Sequence, residues 1–119
     1  MDEPRATRVR FRRTGGLFAG NVLETSLDEQ QLASPEAAEL HRLIAAVDLA
    51  ELAARSPIPA RGADRYQYEL EVDRGGERRH VIVSDGAIPD DLRPLVTLLE
   101  RRATDARRRA SSDAALPER

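Results

Sequence analysis

Two runs of alternating polar and apolar residues dominate the C-terminal half of the chain. The apolar members of the first run are Tyr66, Tyr68, Leu70 and Val72. Their spacing is the period of a strand with one buried face. Residues 74–77, Arg-Gly-Gly-Glu, interrupt the pattern, and a second run of the same kind covers residues 78–84. Two such runs joined by a glycine-rich turn predict a β-hairpin with its tyrosine face toward the core.

A second hairpin is predicted near the N-terminus. Val9 and Phe11 alternate with arginines over residues 8–12 and predict a first strand with these two side chains inward. Residues 14–16 form the turn, and residues 17–26 form a second strand paired with the first. Gly20 interrupts the alternation in this second strand, which indicates a bulge.

Helical periodicity follows each hairpin. Ser34-Pro35-Glu36 is typical of a helix start, with serine at the N-cap and proline in the first turn. The buried stripe of this helix is predicted to contain Leu40, Leu43, Ile44 and Val47. The helix ends near Asp48 or continues to Ala54, before an exposed, proline-containing loop at 56–62. The stripe of the second helix contains Leu92, Leu95, Val96 and Leu99.

The order of these elements predicts an α+β fold. Four antiparallel strands in two hairpins, with a helix after each hairpin, give the order ββαββα. Both helices are amphipathic and need the same apolar surface, so we expect them on one face of the sheet. The ordered domain is expected to cover residues 7–102, with disordered tails at 1–6 and 103–119 because apolar periodicity is absent there.

Composition limits the functional classes. The chain has 119 residues, no cysteine and a net charge of −2, and all 19 of its basic residues are arginine. Without cysteine there is neither a disulfide nor a thiolate metal site. No segment has the length and apolarity of a signal peptide or a membrane span. We therefore expect a cytoplasmic protein that does not associate with membranes.

Few residues of the chain are of the types that commonly carry catalysis. His41 and His80 fall on different elements and form no zinc motif, so no metal or cofactor is expected. His80 is predicted to pair with a neighbouring carboxylate. A Ser-His-Asp catalytic triad could be composed from Ser84, His80 and Asp85. We do not expect one, because the sequence has no nucleophile-elbow motif. Gly15-Gly16 and Gly75-Gly76 lack the lysine of a phosphate-binding loop. We expect no enzymatic activity.

The hairpin and last helix resemble the C-terminal half of the emfourin family, also called protealysin inhibitors. The resemblance rests on GADRYQYELEV at 62–72, GGERRHVIVSD at 75–85 and IPDDLRPLVTLLE at 88–100. Upstream, Arg13-Thr14-Gly15-Gly16 and Phe18-Ala19-Gly20 are similar to the family's opening Arg-Ser-Gly-Gly-Phe-Ala-Gly, with Leu17 as an additional residue. The resemblance covers roughly residues 8–102.

The resemblance implies a reversible protein inhibitor of thermolysin-like (M4) zinc metallopeptidases that is monomeric when free. Such enzymes have a hydrophobic pocket, and an inhibitor needs a rigid scaffold with an apolar anchor. Leu17 and Phe18, after the glycine turn, are the leading candidates for that anchor, and the alternative is that Phe18 faces the core. The expected contact residues are Gly15, Gly16, Leu17, Phe18, Asn21, Pro57, Ile58 and Pro59.

The alternative function is a small arginine-rich module that binds nucleic acid or another protein without catalysis. Arginines cluster at residues 5–13 and again at 107–109. Phe11 points to the opposite face from the arginines of its strand, so no stacking platform accompanies them. The acidic net charge also disfavours nucleic acid, and no nucleic-acid partner is expected.

Overall fold

A computed structural model describes residues 7–15, 22–56 and 66–115, with side chains through residue 111. The strands are β1 (Arg8–Gly15), β2 (Leu23–Asp28), β3 (Tyr66–Arg74) and β4 (Glu77–Ser84). The helices are α1 (Ser34–Ala45), α2 (Leu49–Arg55) and α3 (Arg93–Ala115), with short 3-10 turns at Glu29–Gln31 and Asp85–Ala87.

The four strands form one antiparallel sheet in the order β2-β1-β3-β4. Gly75 and Gly76 join β3 to β4, with φ angles of 62° and 92°. Positive φ at both central residues is the requirement of a type I′ hairpin turn, and glycine meets it without strain. Arg74 and Glu77 flank this turn as register partners. The hairpin predicted from the C-terminal half of the chain, β3–β4, is therefore confirmed.

One face of the sheet carries the core. Val9, Phe11, Leu70 and Val72 are at most 2% exposed and pack in one apolar cluster with the buried residues of all three helices. Tyr68 is also buried, and Tyr66 packs partly against the cluster. The alternation predicted for β1 and β3 is confirmed, as is the α+β fold with its antiparallel four-stranded sheet.

The first helical region differs from the prediction in two details. Ala33, not Ser34, is the N-cap of α1, and its backbone N–H donates to Oε1 of Glu36 at 3.3 Å. The region is also two helices, because Asp48 starts α2 by accepting from the backbone N–H of Glu51 at 3.1 Å. An aspartate at this position stabilises the start of a second helix.

Two other elements differ in their bounds. β2 begins at Leu23 and extends to Asp28, whereas the sequence predicts a strand at 17–26 with a bulge at Gly20. Residues 16–21 lie outside the described residues. α3 continues to Ala115, although a tail was expected from residue 103. Alanine and arginine have high helix propensity and lengthen a helix already nucleated by packing. In the described part of the chain, no helix combines the length and the apolarity that a bilayer crossing requires.

Candidate functional site

Most of the expected contact residues lie outside the described residues. These are Gly16, Leu17, Phe18, Asn21, Pro57, Ile58 and Pro59. Gly15 is described and is the last residue of β1. These residues belong to two segments, 16–21 and 57–65. Gly15 and Val22 flank the first segment, and Ser56 and Tyr66 flank the second.

Segments 16–21 and 57–65 join the sheet at the same end. Gly15, which precedes the first segment, is the register partner of Tyr66, which follows the second. Arg13 pairs with Leu23 on β2, so the first segment also rejoins the chain at this end. We call this end, defined by Gly15, Val22 and Tyr66, the loop end of the sheet. The sequence gives no direct signal for this proximity, because Gly15 and Tyr66 are distant in the chain.

Gly15 sets the direction in which the chain leaves β1. Its φ angle is 102°, a value that L-residues with a side chain rarely adopt. A glycine is therefore required where the strand meets segment 16–21. The positive φ angle thus explains one of the two glycines in the motif Arg13-Thr14-Gly15-Gly16.

A hydrogen-bonded cluster lies beneath the loop end. Arg13 falls on the core side of β1 and donates to Oε2 of Glu100 on α3 at 2.5 Å. The hydroxyl of Tyr68 donates to the same oxygen at 3.1 Å. The Arg13 side chain is 17% exposed, so its charge is largely removed from water and needs this carboxylate. Charge-assisted bonds of this kind are stronger than neutral ones.

The same arginine lies over one ring of a group of three aromatic side chains. The Arg13 guanidinium carbon lies 4.2 Å from the centroid of the Tyr66 ring, within the range of a cation–π interaction. The rings of Tyr66 and Tyr68 are 6.5 Å apart, and those of Tyr68 and Phe11 are 5.9 Å apart. These contacts fix the first residues of β3 against β1, at the position where segment 57–65 ends.

The cluster changes the acidity of Tyr68. Burial, followed by the negative charge of Glu100, raises the pKa of the Tyr68 hydroxyl to about 12. The hydroxyl therefore remains protonated at physiological pH and acts as a donor to Glu100. This is a structural role, since a proton held so firmly is unsuited to acid–base chemistry near neutrality.

Helix α3 makes a second contact with the loop end. The Arg107 guanidinium donates to the backbone carbonyl of Val22, the residue between segment 16–21 and β2. Glu100 and Arg107 are seven residues apart, so they share one side of the helix after two turns. α3 therefore contacts Val22 directly, and Arg13 and Tyr68, each two residues from the loop end, through Glu100. Neither Glu100 nor Arg107 was among the expected site residues, because local periodicity carries no information about pairs so distant in sequence.

The opposite, open face of the sheet is charged and internally paired. Arg8 lies between Asp28 and Asp73, and Arg12 lies between Glu24 and Glu69, in the strand register. The same face carries the predicted histidine–carboxylate pair, with Nε2 of His80 2.6 Å from Oε2 of Glu69. A depression of 340 Å³ on this face is lined mainly by these polar side chains.

The residues of the hypothetical triad are not brought together. His80 and Ser84 are four positions apart on β4, about 13 Å along a strand. His80 faces Glu69, while Ser84 is 8% exposed. Within residues 7–15, 22–56 and 66–115, no three acidic or histidine side chains form a group that could hold a metal ion.

The comparison with protein families identifies the class. Residues 11–100 match the model of the Emfourin family, so the match covers most of the chain. The chain belongs to the Emfourin family, a family of protease inhibitors, which supports a role as a metallopeptidase inhibitor. The resemblance found in the sequence is thereby confirmed. No curated protein and no solved structure matches the chain.

Proposed function

We propose that this chain is a reversible inhibitor of an M4, thermolysin-like zinc metallopeptidase and binds in the active-site cleft of that enzyme. The contact residues are Gly15 and members of the two segments that adjoin the loop end. These members are Gly16, Leu17, Phe18, Asn21, Pro57, Ile58 and Pro59. Leu17 and Phe18 act as the apolar anchor in the enzyme's hydrophobic pocket.

The register of β1 with β3 is the observation that carries this proposal within the inhibitor family. Because Gly15 and Tyr66 are partners, segments 16–21 and 57–65 join the sheet at adjacent positions. The start of segment 16–21 and the end of segment 57–65 therefore meet the sheet side by side, so the two segments can contribute to one contact surface. Membership of an inhibitor family supports the assignment of that surface to a protease.

The scaffold below the loop end has the properties that an inhibitor needs. Arg13, Tyr68 and Glu100 connect two strands and a helix through charge-assisted bonds. A rigid support lowers the conformational entropy lost on association, so more of the interaction energy becomes affinity. Pro57 and Pro59 further restrict the second segment and reduce the ordering cost of binding.

The open face supports an inhibitor in preference to a nucleic-acid-binding module. Among the solvent-facing arginines of β1, Arg8 and Arg12 have a carboxylate as register partner on both neighbouring strands, and Arg10 has one on β3. Arg10, for example, lies 3.5 Å from Glu71. The phosphates of a nucleic acid bound to this face would contact carboxylates on β2 and β3 as well as the arginines of β1. Nucleic-acid sites, by contrast, concentrate positive charge.

The proposal is tested with a panel of purified peptidases. We expect stoichiometric loss of activity of a thermolysin-like enzyme and no effect on a serine peptidase. Added zinc should not restore activity, because the inhibitor acts by occupying the cleft. Restoration by zinc would show metal removal, and full activity of several M4 enzymes in excess inhibitor would show that the proposed target is wrong.

A further inference from the structure

The open face of the sheet carries its charges in columns, one column on each strand. The charged side chains that β2 and β3 contribute to this face are acidic, and those of β1 and β4 are basic. In the strand order β2-β1-β3-β4, the columns are therefore negative, positive, negative and positive. The members are Glu24 and Asp28 on β2, Arg8, Arg10 and Arg12 on β1, Glu69, Glu71 and Asp73 on β3, and Arg78 with the ionisable His80 on β4.

The strand register aligns these columns into rows. In one row, Arg8 is the register partner of both Asp28 and Asp73, and Asp73 pairs in turn with Arg78. The row alternates in sign across all four strands. Its ion pairs have N–O distances of 3.4 Å for Arg8–Asp28 and 3.7 Å for Arg78–Asp73. The two arginine side chains remain 68% and 65% exposed, so their charges are still accessible to a further partner.

A row with this order of signs is complementary to its own reverse. A second copy, turned about a two-fold axis that runs along the strands, presents its columns in the order β4-β3-β1-β2. Each negative column then faces a positive one, and the β1 column faces the β3 column of the second copy. Rotation about this axis moves no residue along the strand direction. Register partners therefore also face each other, and Arg10 of one copy lies opposite Glu71 of the other.

The charge pattern selects this orientation of the second copy over another. A two-fold axis across the strands would place each column opposite itself, so that arginines would face arginines and carboxylates would face carboxylates. Like charges opposed across an interface disfavour association. A face of uniform sign, or one whose order of signs is symmetric, would be repelled in the strand-parallel orientation as well.

We propose that the open face is an isologous dimer interface and that its occupant is a second copy of this chain. Two-fold interfaces of this kind are the commonest in homo-oligomers and bring residue i against j and j against i. Two sheets that pack face to face keep their strand directions within about 30° of each other, as a nearly strand-parallel axis requires. Two adjoining depressions of 340 and 380 Å³, both lined in part by Arg10, give the face the relief that interdigitating side chains need.

The size of the face indicates a weak dimer. Four strands about 4.8 Å apart, with about seven residues each, give a face of roughly 400 Å² on each copy. An interface that buries on the order of 1,000 Å² in total is at the lower limit for specific association. Its ion pairs are partly solvated and screened by salt. We expect a dissociation constant in the micromolar range or higher, so the chain is a monomer at the dilution of an inhibition assay.

Charge reversal of one central pair tests the proposal. Arg10→Glu places a carboxylate opposite Glu71 of the second copy, and Glu71→Arg places a guanidinium opposite Arg10. In sedimentation equilibrium at low salt, each variant alone should have a dimer dissociation constant at least about tenfold above that of the parent chain. A 1:1 mixture of the two should recover dimerisation, because in the mixed dimer each of these charges faces its opposite. Mixing would not rescue a variant that had merely failed to fold.

A charge swap and two control variants complete the set. Arg10→Glu/Glu71→Arg in one chain restores both the ion pair within the chain and the complementarity between copies, so its dissociation constant should be within about threefold of the parent value. Arg108→Glu and Glu39→Arg change the net charge as the two single variants do, at exposed helical positions. They should leave the dissociation constant within about twofold. Thermal unfolding checks that every variant is folded.

The proposal fails if the parent chain remains monomeric up to about 1 mM in about 50 mM salt. It also fails if both single variants dimerise as the parent does, or if their mixture remains monomeric, because the dimer then uses another surface. A monomeric parent whose two single variants, but neither control, lose inhibition of an M4 enzyme would assign the open face to the peptidase instead. None of the sedimentation measurements needs an enzyme, so the dimer stands or falls separately from the proposed function.

Discussion

Arg13 on β1 and Glu100 on α3 form an ion pair with an N–O distance of 2.5 Å, although 87 positions separate them in the chain. The same Glu100 oxygen accepts from the hydroxyl of Tyr68 on β3. One carboxylate therefore connects two central strands to the last helix. This connection lies at the end of the sheet where β1 leads into segment 16–21 and segment 57–65 leads into β3.

Glu100→Ala should lower the free energy of unfolding by about 1–3 kcal/mol, because it leaves the partly buried Arg13 guanidinium and the Tyr68 hydroxyl without their acceptor. Urea denaturation at pH 7 measures the change. Glu100→Gln should cost less, since the amide oxygen can still accept a hydrogen bond. Glu39→Ala is the control, because the Glu39–Arg42 pair is exposed and its N–O distance is 3.8 Å. Equal losses for Glu100→Ala and Glu39→Ala would contradict the structural role of this cluster.

Tyr68 should titrate at unusually high pH. The unfolded hydroxyl has a pKa near 10, and burial beside Glu100 raises the folded value to about 12. This group favours folding below pH 10, and its contribution is lost as the pH rises from about 10 to about 12. In a Tyr66→Phe variant the remaining tyrosinate absorbance reports Tyr68 alone, since the chain has two tyrosines. A midpoint near 10 while circular dichroism shows a folded chain would contradict the burial of this hydroxyl.

Glu29 should contribute acid-sensitive stability at the opposite end of β1. Its carboxylate lies 2.6 Å from Nε2 of His41 and accepts from the backbone N–H of Thr7 at 2.6 Å. These bonds, the His41 contact first, lower the pKa of Glu29 below its ordinary value of 4.5. The stabilisation is therefore present above pH 4.5 and is lost as the pH falls through the lower, folded value.

The test for Glu29 compares the parent chain with Glu29→Gln in urea at a series of pH values. The parent chain should be the more stable at pH 7, and the difference between the two should shrink below about pH 4.5. A difference that stays constant down to pH 3 would show that this carboxylate is not preferentially stabilised in the folded state.

The sequence predicted those parts of the fold that depend on short-range periodicity. Alternation identified Tyr68, Leu70 and Val72 as inward-facing, and two adjacent glycines identified the β3–β4 turn. The N-cap of α1 was predicted one residue too late, at Ser34, because capping propensity favours serine over the alanine at position 33 that precedes it. The length of α3 exceeded the prediction because helix propensity sustains a helix after its apolar stripe ends.

The site was less predictable than the fold. Arg13 alternates with Val9 and Phe11, and therefore lies on the core side, but the pattern does not show which carboxylate accompanies it. Only the packing of α3 across the sheet brings Glu100 to Arg13 and Arg107 to Val22. The partners of a charged residue at the margin of a core depend on tertiary geometry, which sequence spacing does not encode.

Replacement of both Leu17 and Phe18 by alanine should weaken inhibition by about 2 kcal/mol or more, the scale of an interface hot spot. The free energy of unfolding should fall far less than the roughly 3–5 kcal/mol expected when a buried phenylalanine site is emptied. Inhibition assays and urea denaturation of the same variant measure the two effects. If the variant unfolds while its folded fraction inhibits normally, these residues belong to the core, and residues 56–61 become the leading contact segment.

The central claim is that the chain occupies the active-site cleft of a thermolysin-like peptidase. The most direct test is a titration of such an enzyme with the chain at several concentrations of a peptide substrate. Cleft binding predicts complete loss of activity at a 1:1 ratio when the enzyme concentration exceeds the inhibition constant. It also predicts an apparent inhibition constant that rises linearly with substrate concentration. An enzyme that remains fully active, or inhibition that is independent of substrate concentration, would contradict the claim.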